Sequence, residues 1–104
     1  MSANELVNAK AEIFKALGHP ARLTMVEALS KRPHCVCELV RMVPGTQATT
    51  SRHLDVLLKA GVVKRHKEGA RMMYELALPC VLKAMPCVTE ALRRRIASQA
   101  AMLR

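Results

Sequence analysis

The sequence predicts a mainly α-helical winged helix-turn-helix domain with a two-stranded β-hairpin wing, dimerised through its N- and C-terminal helices. Three observations predict it. Two helical stretches meet at a Pro44-Gly45 turn, and the second opens on the polar run Gln47 to His53. A hairpin pattern follows at once, two short runs about Lys67-Glu68-Gly69-Ala70. The two ends of the 104-residue chain carry apolar helical stripes that one small domain would struggle to bury, so a two-fold dimer joined through them is the economical arrangement.

The elements follow in order. Leu6, Ile13, Phe14 and Leu17 recur at helical spacing among charged residues, which predicts an amphipathic helix over about 4–17, ended by Gly18. His19-Pro20 starts a second helix, with proline in the first turn and Leu23, Val26 and Leu29 as its stripe, to about Ser30. A short helix is expected from Cys35 to Met42. Thr46 reads as the N-cap of a helix to Ala60, with Leu54, Leu57 and Leu58 inward and Gly61 as the residue after its end. Strands are expected over Val62–His66 and Arg71–Leu76. From about Pro79 to Met102 the chain reads as helical, with a stripe of Val81, Met85, Val88, Leu92 and Ile96 and a break at residues 83–86 caused by Pro86. The whole is one domain, 1–104.

Composition narrows the function. Phe14 and Tyr74 are the only aromatics, so the core is aliphatic with seven Met as fillers, and folds that stack bases on aromatic platforms are disfavoured. No apolar run approaches the ~20 residues of a membrane span, and the N-terminus lacks the pattern of a secretion signal. A cytoplasmic protein without membrane partners is expected, and there four cysteines bind metal or do chemistry more readily than they form structural disulfides. Net charge is +9, unevenly placed: residues 1–40 carry five Lys/Arg against four Asp/Glu, and residues 41–104 carry twelve against four. Such asymmetry is the electrostatic footprint of nucleic-acid binding.

The DNA-reading segment is then Gln47, Thr49, Thr50, Ser51, Arg52 and His53. Gln47 and Arg52 are able to make bidentate base contacts, and the hydroxyl residues suit phosphates or thymine methyls. Lys64, Arg65, Lys67 and Arg71 lie on and beside the hairpin and are expected at the flanking backbone or minor groove, though such residues also serve simply to protect edge strands. Arg93-Arg94-Arg95 reads as a solvated face.

These residues together resemble the ArsR/SmtB family of bacterial metal- and metalloid-responsive winged-helix repressors, over nearly the whole chain. Phe14 to Leu23 is similar to the family's "LADPTRL"-type opening. Thr49-Thr50-Ser51-Arg52-His53-Leu54, with Leu57 and Ala60-Gly61-Val62-Val63, is similar to its "TVSxHLxxLxxAGLV" stretch, and Glu68-Gly69 with Arg71 and Tyr74 to its wing. Cys35-Val36-Cys37-Glu38-Leu39 resembles the "ELCVCDL" box that marks sensors of arsenite, antimonite or soft metals. The chain departs from that pattern at His34, in place of leucine, at Val40, where arsenite sensors have a third cysteine, and at Ala48, where proline is common.

The resemblance implies a homodimeric repressor of a metalloid-resistance operon. It would bind a double-stranded, inverted-repeat operator and be released by As(III) or Sb(III) on cysteine thiolates, with no organic cofactor. The expected ligands are Cys35 and Cys37, with Cys80 or Cys87 as third, within or between subunits. Soft trivalent centres suit thiolates. Residues i and i+2 of a regular helix point to nearly opposite sides, so Cys35 and Cys37 converge only if Cys35 lies in the first turn or before it, or if the helix start distorts. Cys80 and Cys87 are about 10 Å apart along a straight helix and cannot both join one small site unless Pro86 bends it. The bland alternative for these two is small buried packing residues. His19 is expected at a helix boundary, His34 as an exposed boundary residue and His66 on the wing. A zinc site on the last helix is rejected, because no His follows His66.

Three alternatives stay open at this level: the same scaffold responding to thiol oxidation, persulfidation or another soft metal; a dithiol oxidoreductase, disfavoured by CxC spacing without a βαβ pattern; and a structural zinc site, disfavoured by the lack of paired CxxC motifs. No catalytic constellation is recognisable, so a non-enzyme is expected.

Overall fold

In the computed structural model, which describes residues 1–103, helix α1 spans Ala3–Leu17 and is held at its start by a reciprocal cap. Ser2 Oγ accepts the Glu5 N–H at 3.1 Å, and Glu5 Oε2 accepts the Ser2 N–H at 3.2 Å. Helix α2 spans Pro20–Leu29. His19 caps it, its Nδ1 accepting the Ala21 N–H at 3.1 Å, while Pro20 occupies the first turn, where no amide donor is needed.

The chain then forms a two-residue strand β1 (His34–Cys35) and a single-turn helix α3 (Val36–Leu39). Sequence patterning extends that helix from Cys35 to Met42; the structure shortens it at both ends. Cys35 is extended and paired in a sheet. After Leu39 the backbone tightens into i→i−3 bonds, Arg41 N–H to Glu38 O at 3.2 Å and Met42 N–H to Leu39 O at 3.0 Å. Pro44 disfavours helical geometry at Val43, so the helix cannot continue.

Helix α4 (Gln47–Ala60) matches its predicted bounds. Thr46 Oγ1 accepts the Thr49 N–H at 3.2 Å, and Gly61, in the left-handed conformation at φ 84°, closes the other end. Strands β2 (Val63–Glu68) and β3 (Arg71–Leu76) form the wing. Their ladder runs from Val63 opposite Leu76 to Glu68 opposite Arg71. The hairpin is therefore tighter than expected, because Gly69 at φ 64° permits a two-residue turn and lets Lys67 and Glu68 join the ladder. The sheet also has three strands, not two. β1 adds antiparallel to the other edge of β3, with His34 opposite Tyr74 and Cys35 opposite Met73. A 3₁₀ turn (Pro79–Leu82) and helix α5 (Met85–Met102) complete the chain, and the break ahead of Pro86 lies where proline requires it.

The core lies among α1's last turn, α2, α3, α4 and the base of the wing. It gathers Leu17, Met25, Val26, Leu29, Leu39, Leu54, Leu57, Val62 and Val63, closed by the ring of Tyr74. Met25 is fully buried, but Met1, Met42 and Met102 are exposed, so the methionines as a set are not core fillers. No residue of α5 is buried, and Val88, Leu92, Ile96 and, on α1, Leu6 and Phe14 lie open. The radius of gyration, 16.3 Å, exceeds the roughly 13 Å of a compact chain this long. Both facts fit a chain whose terminal helices await an apolar partner. Among the described residues no helix is long and apolar enough to cross a membrane.

Candidate nucleic-acid interface and cysteine site

The inward face of α4 is set by helical arithmetic. Thr50, Leu54 and Leu57 lie at i, i+4 and i+7, and all three are fully buried. Thr50 was expected at DNA and is instead a core residue; the same spacing that identified Leu54 and Leu57 places it with them. Its Oγ1 finds no hydrogen-bond partner among the described residues. Thr49 is half-buried, its Oγ1 3.1 Å from Thr46 Oγ1 and turned into the cap. Gln47, Ser51 and Arg52 are exposed, and Arg52 has no ion pair among the described residues.

His53 is half-buried behind this face. Its Nδ1 accepts from Arg22 Nη1 at 3.3 Å, and its ring lies 4.5 Å from that of His19, centroid to centroid. Arg22 also donates to Ala16 O at 2.6 Å and Lys15 O at 3.3 Å. One guanidinium thus ties the end of α1 to the middle of α4. Desolvation lowers the His53 pKa, helped by the nearby charges of His19, Arg22 and Arg52, so the ring is kept neutral as the acceptor this bond requires. His53 serves as an internal strut of α4. Sequence reasoning missed Arg22, whose signal is a lone arginine in the first turn of α2, set between Ala21 and Leu23.

On the wing, Lys64, Arg65, His66 and Lys67 are exposed. Lys64 lies 3.7 Å from Glu75 and His66 lies 3.5 Å from Glu68. Arg65 Nη1 donates to Tyr74 Oη at 3.4 Å, and that hydrogen bond raises the guanidinium's pKa. Lys67 carries no ion pair among the described residues. Arg71, grouped by sequence with these wing cations, points elsewhere: its Nη2 lies 3.5 Å from Cys35 Sγ and 3.5 Å from Cys37 Sγ.

The cysteine pair sits where β1 becomes α3. Cys35 is the N-cap, extended at φ −81°, ψ 164°, and Cys37 is in the first turn. That boundary position is what brings the sulfurs together; they are bonded to each other, with Cα atoms 5.3 Å apart. Cys35 is buried and Cys37 exposed, so the pair is reached from the Cys37 side. Glu38 fixes the junction: Oε1 accepts the Cys35 N–H at 3.3 Å, and Oε2 meets Arg32 Nη2 at 2.7 Å and His34 Nδ1 at 3.2 Å. These bonds, Arg32's first, bring the Glu38 carboxyl down to about 2. The C-x-x-E spacing is that of a capping box and was the available signal for Glu38. His34, expected to be exposed, is buried, because its backbone pairs with Tyr74 and its ring is drawn to Glu38.

A shallow cleft of about 300 Å³ opens over the pair, lined by Cys35, Val36, Cys37, Gln47, Ala70, Arg71 and Met72. It therefore joins the cysteines, the first residue of α4 and the first residue of β3. Cys80, in the 3₁₀ turn, and Cys87, on α5, are exposed free thiols rather than packing residues. Among the described residues no three His, Cys, Asp or Glu side chains gather as a metal would require, so one chain does not bring Cys80 or Cys87 to the pair. The donor set fits a thiophilic centre through two sulfurs only.

Residues 19–65 match the model of a family described as bacterial regulatory protein, arsR family. An uncharacterized HTH-type transcriptional regulator of Mycobacterium tuberculosis, Rv0081, is 35% identical over 104 residues, spanning 99% of this chain and 91% of that protein. Its crystal structure superimposes with a TM-score of 0.75 at 34% identity, over 91% of this chain and 96% of that one. The cadmium resistance transcriptional regulatory protein CadC of Listeria innocua is 42% identical over 62 residues, 59% of this chain and 52% of that protein. A homodimeric winged helix-turn-helix domain of Mycobacterium bovis, Mb0332, shares the fold, with a TM-score of 0.75 at 23% identity over 92% of this chain and 91% of that one.

Proposed function

Because this chain belongs to the arsR family of bacterial regulatory proteins, and is therefore a DNA-binding transcriptional regulator, we propose that it is a cytoplasmic, homodimeric repressor released from an inverted-repeat operator by As(III) or Sb(III). Cys35 and Cys37 capture the inducer. Gln47, Ser51 and Arg52 read the major groove, and Lys64, Arg65 and Lys67 hold the flanking backbone. Thr49 and His53 support the reading helix from behind. The genes controlled are a metalloid-resistance operon.

The observation that carries this reading is the convergence of the two sulfurs in a cleft whose wall includes Gln47. A ligand spanning the sulfurs sets their spacing and, with it, the junction of β1 and α3. That junction borders the start of α4 on one side and β3 on the other, the two elements whose relative placement defines the DNA-facing surface. The resistance function in CadC's name concerns a soft, thiophilic metal, which is chemically consistent with a sulfur site. The dimer is supported by the uncovered apolar stripes of α1 and α5.

The test is a fluorescence-anisotropy titration of arsenite into the reduced protein bound to its own upstream promoter DNA. Release at low arsenite, reversed by excess dithiol, is expected. The Cys35→Ser/Cys37→Ser protein should bind the DNA and ignore arsenite; a fully inducible double variant removes the pair from the mechanism.

The Cys35–Cys37 bond favours a second reading, in which oxidation of the pair is itself the signal. It predicts that the oxidised protein, two hydrogens lighter, leaves DNA without any metalloid. Equal affinity of reduced and oxidised forms discards it.

A further inference from the structure

Arg71 is the one charged group in the cysteine cleft to which the mechanism above gives no task. Its Nη2 is equidistant, at 3.5 Å, from the two bonded sulfurs, and so stands beside the face on which both are approached together. The nearest carboxylate on α3, Glu38, is committed to Arg32, His34 and the Cys35 N–H. Arg71 itself has no carboxylate partner among the described residues.

Trivalent arsenic in neutral water is a trihydroxide. Two thiols exchange for two of its hydroxyls: two As–O bonds break, two As–S bonds form, and the two thiol protons leave with the two hydroxyls as water. No electrons move. The cystine must first be opened: a phosphine gives the two electrons and leaves as its oxide, with water supplying that oxygen and the two protons, and two thiols result. With no third thiol gathered at the pair among the described residues of one chain, the third As–O bond remains, and its oxygen needs a donor in a partly buried cleft. A guanidinium is a fixed, permanently charged donor suited to such an oxygen.

We propose that Arg71, rather than Cys80 or Cys87, completes the inducer site, donating to the oxygen that a trivalent metalloid hydroxide keeps when Cys35 and Cys37 bind it. The proposal rests on the inducer reading above and adds its specificity. Water kept by a divalent cation donates hydrogen bonds and is a poor acceptor for a guanidinium, so Arg71 favours As(III) and Sb(III) over Cd(II). It also gives the ligand a direct hold on the wing, since Arg71 opens β3 opposite Glu68.

The experiment uses the full chain reduced with a phosphine, without DNA. Sodium arsenite binding is followed by sulfur-to-arsenic absorption in the near ultraviolet, and the complex by X-ray absorption at the arsenic edge. The expected shell is two sulfurs and one oxygen, unchanged in Cys80→Ser/Cys87→Ser. Arg71→Gln should weaken arsenite roughly tenfold or more, the usual scale of a charge-assisted hydrogen bond, and leave Cd(II) affinity undiminished. Arg71→Lys, which keeps the charge, should lose less. A three-sulfur shell, loss of binding in the Cys80/Cys87 variant, or unaltered arsenite affinity in Arg71→Gln overturns the role of Arg71 and leaves the inducer reading standing. Parallel losses of arsenite and Cd(II) in both Arg71 variants also overturn it, as a folding effect. Failure of the reduced wild-type chain to bind arsenite overturns both.

Discussion

Replacing Thr50 with valine separates a core role for this position from a DNA-contacting one. The side chain is fully buried one turn ahead of Leu54 on the inner face of α4, and its Oγ1 lacks a hydrogen-bond partner among the described residues. Burying a hydroxyl without a partner costs about 1–3 kcal/mol on mutational scales. Valine keeps the β-branch and a closely similar volume, and its helix propensity is near that of threonine. Thr50→Val should therefore stabilise the protein by about 1 kcal/mol or more, since the cost is removed and the packing kept. For a domain of about 100 residues that raises Tm by about 4 °C per kcal/mol. Thermal and urea unfolding at one fixed protein concentration measure it, the concentration held because a dimer's stability depends on it. Promoter affinity, read by anisotropy at constant salt, should not change. Destabilisation would show that the hydroxyl has a partner, and a loss of DNA affinity at equal stability would return Thr50 to the interface; either refutes the argument.

Arg52 is exposed and unpaired among the described residues, so Arg52→Ala should leave unfolding unchanged and weaken operator binding by about 1–3 kcal/mol, the scale of a bidentate base contact; unchanged affinity at physiological salt removes it from the readout. Ile96, 65% exposed and in line with the open Val88 and Leu92 of α5, is expected to lie in the dimer interface. Ile96→Glu should shift the protein to a monomer in sedimentation equilibrium, and an intact dimer would move the interface elsewhere. The His53 pKa is depressed in the fold, so between that value and about 6.5 the unfolded chain binds more protons. Stability should be full above about pH 6.5 and fall as pH drops below it. His53→Gln, which keeps an acceptor for Arg22, should flatten that slope in urea titrations across pH 5–7, and an identical slope would assign the effect to another group.

Much of the architecture was readable without coordinates because it depends on local chemistry. The Thr46 cap, the glycine at 61 and the inward Leu54 and Leu57 define α4 through hydrogen bonds and periodicity within a few residues. The hairpin, the break ahead of Pro86 and the His19–Pro20 start of α2 are similarly local. His34 and Thr50 depart from expectation for different reasons. His34 reads as exposed because nothing nearby in sequence predicts that β1 joins the third strand 40 residues on, and that pairing buries it. Thr50 reads as a DNA contact by its hydroxyl, whereas its i, i+4, i+7 relation to Leu54 and Leu57, a local signal, places it in the core.

By itself the sequence determined the fold class, the bounds of α4, and the presence of a paired-thiol box at the start of a short helix. Helix caps, turn glycines and apolar periods act within one or two turns of chain, so their meaning survives without a tertiary context. Only the tertiary structure decided which side chains meet across it. It drew Arg71 from the wing to the sulfurs across 34 residues of sequence, and joined His53 of α4 to Arg22 across 31. It left Cys80 and Cys87 away from Cys35 and Cys37 within one chain. Long side chains such as arginine go where an acceptor is within reach, and that reach is set by how strands and helices stack, a property of the packed whole that no local pattern encodes.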